Sequence, residues 1–218
     1  MTKKILLPIA VAALLWFVMF SPWTAPHVNF WLTMSLAGVV LTTLSLATTP
    51  DLRRVLAVEF SAKHILLGVV LAALLWGVFW VGDKVACRMF PFAEGEIGSI
   101  YSMKDGTSPW LIGPLLLLVI GPAEEIFWRG FVQRQLSLKL NPTWAFVLTT
   151  AIYALVHIWA LNFMLVVAAA VVGGVWGLLY RLWPKSLWTL IVSHAVWDVV
   201  VFLIFPISPP LLELSYTS

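Results

Sequence analysis

Charged residues and cysteine are both scarce in this chain. Of its 218 residues, only 11% are charged and one, Cys87, is a cysteine, whereas 61% are hydrophobic. A soluble globular domain carries about 25% charged residues. The composition, with a mean hydropathy of +0.98, therefore excludes a soluble enzyme and a disordered protein. The single cysteine excludes an intrachain disulfide and a metal site built from several cysteines.

A basic tract of the kind that binds nucleic acid is also missing. The 13 Lys and Arg residues are divided among short connections, and the formal net charge is only +3. In membrane proteins such residues concentrate on the cytoplasmic side. A cytoplasmic N-terminus would place most of them on the inner face. We therefore predict a cytoplasmic N-terminus, an outward-facing C-terminus and no nucleic-acid partner.

Long apolar runs make up most of the sequence, and about 20 apolar residues are enough to cross a bilayer as a helix. We predict a single all-α polytopic membrane domain over residues 1–218, surrounded by a lipid bilayer. The first span is expected to stay uncleaved, because its apolar run is long and has no clear cleavage site. The predicted spans, about seven, are residues 5–21, 28–48, 64–82, 109–136, 143–160, 161–181 and 186–205.

Two connections are longer than simple turns. Residues 51–63 mix basic and apolar side chains, a pattern typical of a short helix lying on the inner membrane surface. Residues 83–108 form the longest polar stretch and are predicted to be an outer loop. In that loop we expect Glu94 and Glu96 to be solvated and Cys87 to be an inert thiol.

Ionisable residues interrupt several of the predicted spans. Each such group at the centre of a span costs at least ~2.5–3.5 kcal/mol, so it needs a partner or a function. These residues are therefore predicted to meet in a polar cavity inside the helix bundle. They are Glu124, Glu125, Arg129, His157, His194 and Asp198.

The spacing of these residues predicts how they are arranged. Glu125 and Arg129 lie four apart on one helix face, which favours an ion pair. Glu124 is rotated by about 100° and faces a different surface. Pro122 is expected to kink or restart the helix, so that both glutamates lie in a first helical turn. Two further pairs at the same spacing, Tyr153 with His157 and His194 with Asp198, can each present two polar groups to one cavity.

Three motifs in these spans resemble those of one enzyme family. Residues 122–129, PAEEIFWR, resemble the EExxxR motif of the CAAX-processing and bacteriocin-processing family of intramembrane glutamic endopeptidases. Residues 153–157, YALVH, are similar to its FxxxH motif, with Tyr153 in place of Phe. Residues 194–198, HAVWD, resemble its HxxxN or HxxxD motif. The motifs occur in order within residues 109–200, the predicted catalytic core, and the first three spans carry no match.

The resemblance implies a CAAX-protease-like helical bundle and a protease that needs neither a metal nor another cofactor. Glu124 would be the general base, and His157 would help to hold the attacking water. His194 and Asp198 would stabilise the oxyanion, while Glu125, Arg129 and Tyr153 would orient the site. Asp198 departs from the commoner Asn, and an ionised carboxylate would repel an oxyanion. Asp198 must therefore be protonated, or it orients His194 and favours the protonated form of that ring. We favour the second role.

The resemblance also implies a protein or peptide substrate that is membrane-associated, for example a C-terminal tail. Compact relatives of this kind are bacterial or archaeal proteins, which indicates a multi-pass protein of a prokaryotic plasma (inner) membrane.

Other functions remain open from the sequence. Glu124, His157 and His194 could together hold zinc in a membrane protease, although no HExxH motif is present. A proton-coupled transporter also places carboxylates within the membrane, but no clear paired repeat is found. A membrane immunity protein or scaffold would keep the fold without using Glu124. We favour the glutamic endopeptidase.

Overall fold

The computed structural model describes residues 3–58 and 60–207, and all regular structure in these residues is helical. A short 3₁₀ turn at Ala25–His27 follows the first helix. The helices are α1 (Lys3–Phe20), α2 (Phe30–Thr48), α3 (Pro50–Val58), α4 (Ala62–Met89), α5 (Ala93–Ser102), α6 (Pro109–Ser137), α7 (Pro142–Ala160), α8 (Phe163–Leu182) and α9 (Pro184–Ile204).

Six of these helices are long and apolar enough to cross a membrane, namely α2, α4, α6, α7, α8 and α9. The sequence predicted about seven, and the difference is α1, whose apolar part, Lys4–Phe20, is slightly shorter. The all-α polytopic fold is confirmed, and the chain is a multi-pass membrane protein. The orientation of the N-terminus stays a prediction, and residues 208–218, with the outward-facing C-terminus, lie outside the described residues.

The predicted outer loop at residues 83–108 is wrong, because most of it is helical. The first part continues α4, whose 28 residues span ~42 Å and exceed the ~30 Å hydrocarbon core of a bilayer. The polar end of α4 can therefore extend beyond the apolar layer, with Cys87 exposed on its surface. The second part forms α5, and Glu96 on this helix is not a free loop charge. Its carboxylate accepts the backbone N–H of Met164 at 2.9 Å and so caps the start of α8.

The short helix predicted within residues 51–63 is present as α3, and its position on the inner membrane surface stays a prediction. Leu52 is fully buried against the bundle, while Arg53 and Arg54 are exposed. Gly130 of α6 makes room for Leu52, since a Cβ at Gly130 would lie 3.0 Å from the Leu52 Cδ1 atom. Glu59, which belongs to the predicted segment, lies outside the described residues.

The sequence predicted a kink or a restart at Pro122, and the restart is wrong because α6 continues through this residue. Backbone dihedral angles stay helical on both sides of it. The hydrogen bonding changes instead, from a π-helical segment at Leu116–Ile120 to an α-helical one at Gly121–Glu125. Pro122 stands in the first turn of that α-helical segment, the position in a helix at which proline is tolerated best. A second π-helical segment follows at Ile126–Gln133. Wide turns of this type are frequent at functional sites.

Candidate active site

A cavity of about 310 Å³ lies within the helix bundle. Most of its wall is apolar or aromatic, contributed by helices α2, α4, α5 and α8. The predicted site residues lie together on the remaining wall, carried by α6, α7 and α9. They are Glu124, Tyr153, His157, His194 and Asp198, and all five are buried.

The approach of α6 to α9 depends on Gly121. A Cβ at this position would lie 2.7 Å from the Ala195 Cα atom, a distance that real Cβ atoms do not show. The glycine therefore lets the two backbones come together, as small residues do between membrane helices. The contact places the turn that carries Glu124 and Glu125 beside His194.

The carboxyl group of Glu124 faces the cavity. Its Oε2 atom is buried and has no hydrogen-bond partner among the described residues. Tyr153, on the neighbouring helix α7, lines the same cavity wall. Glu124 thus keeps an oxygen atom that can accept a further hydrogen bond.

Glu125 forms the ion pair that its spacing to Arg129 predicts. Arg129 Nη1 lies 2.7 Å from Glu125 Oε1, and both side chains are almost completely buried. Arg129 Nη2 also donates to the carbonyl oxygen of Gly173 at 3.2 Å. The guanidinium group lies over the rings of Tyr153 and Trp176, at 4.9 and 5.4 Å from their centroids. Arg129 is therefore enclosed by one anion, one carbonyl group and two aromatic faces.

His194 is oriented mainly by Glu125. Its Nδ1 atom lies 2.8 Å from Glu125 Oε1, whereas its Nε2 atom lies 3.5 Å from Asp198 Oδ2. Trp176 stacks on the imidazole ring, with centroids 4.1 Å apart and planes inclined by 22°. The indole N–H donates to Ser193 Oγ at 3.1 Å, which holds the stacked ring in place. Sequence reasoning assigned the orienting role to Asp198 and missed the contact from Glu125.

His157 has protein partners at both ring nitrogens. Nδ1 lies 2.8 Å from the carbonyl oxygen of Tyr153, one turn earlier on α7. Nε2 accepts the indole N–H of Trp16, on α1, at 3.1 Å. The sequence contained no indication of this second contact, because Trp16 is far away in the chain and α1 carries no matching motif.

Helix α8 contributes two further contacts that sequence reasoning missed. Arg129 reaches the carbonyl oxygen of Gly173, and Gln133 donates to that of Gly177 at 2.8 Å. Both donors and both acceptors are four residues apart, so one helix turn of α6 lies along one helix turn of α8. The spacing of the two glycines could have indicated this, since small residues four apart mark close helix contacts in membranes.

The zinc ligand set considered above is not assembled in the described residues. No group of three His, Cys, Asp or Glu side chains among them is arranged to hold a metal ion. His157 in particular has no ring nitrogen left for a metal, because Tyr153 and Trp16 occupy both.

A family model described as "Type II CAAX prenyl endopeptidase Rce1-like" matches residues 106–200. The match supports the CAAX-protease family for this segment of the chain. The match supports a membrane endopeptidase of the CAAX-protease type and covers every polar residue of the cavity wall named above. Helices α1 to α5 lie outside the matched residues. No curated protein and no solved structure matches the chain.

Proposed function

We propose that the chain is an intramembrane glutamic endopeptidase in which Glu124 activates the attacking water. One observation carries this proposal: a buried carboxyl group with an unpartnered oxygen faces a cavity and shares its wall with an anchored imidazole. A general base needs an oxygen that can accept a proton from a bound water. Glu124 offers one on the cavity wall. Glu125 also has an oxygen, Oε2, that is unpartnered among the described residues, but its side chain does not line the cavity, and its Oε1 atom is occupied by Arg129 and His194.

The proposed reaction begins when Glu124 takes a proton from a water molecule in the cavity. The remaining hydroxide adds to the carbonyl carbon of the scissile peptide bond, and the carbonyl oxygen becomes an oxyanion. When the tetrahedral intermediate collapses, the C–N bond breaks and the proton on Glu124 passes to the leaving amine. The carboxyl group is thereby returned to its starting form. General-base catalysis of this type contributes about 10²–10⁴-fold to the rate.

His194 is the proposed donor to the oxyanion. Glu125 anchors its Nδ1 atom, and Trp176 fixes the plane of the ring, so Nε2 faces the cavity beside Asp198. A donor held in place before the reaction stabilises the developing charge without reorganisation. Asp198 lies on the Nε2 side, with its Oδ2 atom 3.5 Å from that nitrogen.

The wall of the cavity supports an apolar substrate. Its lining is mostly aromatic and aliphatic, which suits apolar groups, and most of its polar side chains lie on the wall that carries Glu124. We therefore propose a membrane-associated protein as substrate. A prenylated C-terminal tail is the first candidate, because the matching family model is described as a prenyl endopeptidase.

The experiment uses the purified chain in lipid nanodiscs and a quenched fluorescent peptide that ends in a farnesylated CAAX sequence. Wild type should cleave the peptide, and mass spectrometry of the products should locate the bond. Glu124→Gln should lower kcat by at least 10²-fold and leave the melting temperature unchanged. Glu94→Gln is the matched control, because Glu94 is exposed on α5.

Two results would contradict the proposal. Cleavage by Glu124→Gln at the wild-type rate would remove Glu124 from the mechanism. Loss of activity in a strong chelator, restored only by added zinc, would point to a metalloprotease instead. If wild type cleaves neither this peptide nor the termini of native membrane proteins, a scaffold or immunity function becomes the better explanation.

A further inference from the structure

The hydrogen bonds of His157 determine which nitrogen carries its proton. A carbonyl oxygen can only accept, so the contact of Nδ1 with Tyr153 O requires a hydrogen on Nδ1. An indole N–H can only donate, so the contact with Trp16 Nε1 requires a bare Nε2 atom. The ring is therefore neutral and protonated at Nδ1.

Trp16 is itself held in place. Its side chain is almost completely buried, and its ring meets that of Trp128 edge to face, with centroids 6.1 Å apart. It also meets the His157 ring edge to face at 5.9 Å. Turning the indole away from His157 would require the surrounding core to repack, so the donor stays directed at Nε2.

We propose that Trp16 is a positioning residue that keeps His157 in its neutral form and so leaves the proton of the attacking water to Glu124. A proton on Nε2 would point at the indole N–H, and the hydrogen bond between the two rings would be lost. A charged imidazole on the cavity wall that carries Glu124 would stabilise its carboxylate form and weaken it as a base. The role in catalysis rests on the proposed function, whereas the hydrogen bond itself does not.

The proposal extends the site beyond the matched residues. Trp16 lies on α1, outside residues 106–200, yet it occupies an atom of a predicted site residue. Catalysis in this chain would thus depend on a contact between its first helix and its CAAX-protease segment. Trp16 acts through His157 and touches neither the substrate nor the water.

Trp16→Phe and Trp128→Phe form a matched pair of variants. Each replaces a buried indole by a smaller aromatic ring, and both changes should destabilise the bundle to a similar degree. Only Trp16 donates to His157, because the Trp128 N–H has no partner among the described residues. An effect that appears in Trp16→Phe alone therefore reports the hydrogen bond rather than the packing.

The first measurement is ¹⁵N NMR of the ring nitrogens, which needs no substrate. In wild type, the His157 Nε2 atom should give the resonance of an unprotonated nitrogen, and this resonance should be coupled through the hydrogen bond to Trp16 Nε1. His157→Gln assigns the signal by removing it. Trp16→Phe should shift this resonance by much more than Trp128→Phe, which removes a ring that packs on Trp16 but keeps the donor. An uncoupled Nε2 in wild type, or an equal shift in both variants, would overturn the proposal.

The second measurement is the pH dependence of peptide cleavage. Once Trp16 no longer occupies Nε2, the acid-side loss of activity should begin about one pH unit higher in Trp16→Phe than in Trp128→Phe. An acid limb at the same pH in both variants would refute the catalytic role. A wild type that does not cleave would contradict the proposed function, while the NMR result would still test the contact.

Other titratable groups cannot produce this difference, because they are the same in both variants. Those that share the cavity with His157 are Asp83 on α4, Tyr101 on α5, Glu124 on α6, Tyr153 on α7, and His194 and Asp198 on α9.

Discussion

Removal of the Arg129 charge should destabilise the whole bundle as well as the site. Arg129 is 1% exposed and pairs with Glu125, which is completely buried. In Arg129→Met the apolar volume is largely kept, but Glu125 loses its cation and Gly173 O loses a donor. Breaking a buried ion pair by removing one partner costs about 3–5 kcal/mol, because the other charge remains without compensation.

The free energy of unfolding should therefore fall by about 3–5 kcal/mol in Arg129→Met. For a chain of this size the melting temperature would drop on the order of 10 °C. Thermal unfolding in detergent, followed by intrinsic tryptophan fluorescence, is the assay. Arg54→Met is the matched control, because Arg54 is exposed on α3 and a surface change should alter stability by less than about 0.5 kcal/mol.

A double variant separates the charge from the packing. If the loss comes from the uncompensated carboxylate, Glu125→Gln should restore part of the stability of Arg129→Met, since no buried charge then remains at the pair. The reasoning would be refuted if Arg129→Met unfolded at the same temperature as Arg54→Met. It would also be refuted if the double variant were less stable than Arg129→Met alone.

Two further variants test how the site is assembled. Gly121→Ala should lower stability by about 1–3 kcal/mol and abolish cleavage, because its Cβ would lie 2.7 Å from the Ala195 Cα atom and push α9 away. Gly77→Ala, with open space around its Cβ, should have neither effect in the same assays. Tyr153→Phe should lower kcat by roughly tenfold with KM unchanged, because it removes only a hydroxyl that shares the cavity wall with Glu124. An unaltered kcat would show that the hydroxyl is dispensable.

The features that the sequence alone determined are local along the chain. Apolar runs near bilayer length predict membrane helices wherever they occur, so the all-α polytopic fold follows directly from the hydropathy pattern. The ion pair of Glu125 with Arg129 was predictable for a similar reason, since the helix itself brings residues four apart together. Ionisable residues within apolar runs likewise indicated a buried polar cavity.

Two predictions failed. A polar segment was predicted to be a loop, and a proline was predicted to restart a helix. Residues 83–89 include three charged residues but remain helical, because a helix can continue beyond the apolar layer of a membrane. Pro122 does not interrupt α6, since a wide turn before it accommodates the missing N–H. Composition indicates whether a segment can face water or lipid. It does not indicate where the backbone hydrogen bonding of a helix ends.

Contacts between helices were decided only by the tertiary structure. The bonds of His194 to Glu125 and of His157 to Trp16 join residues 69 and 141 positions apart. Which faces of two apolar helices meet depends on how their side chains pack, because lipid and protein offer them nearly the same apolar surroundings. The sequence therefore determined which residues must find partners inside the membrane, and packing at positions such as Gly121 and Trp16 decided which partners they found.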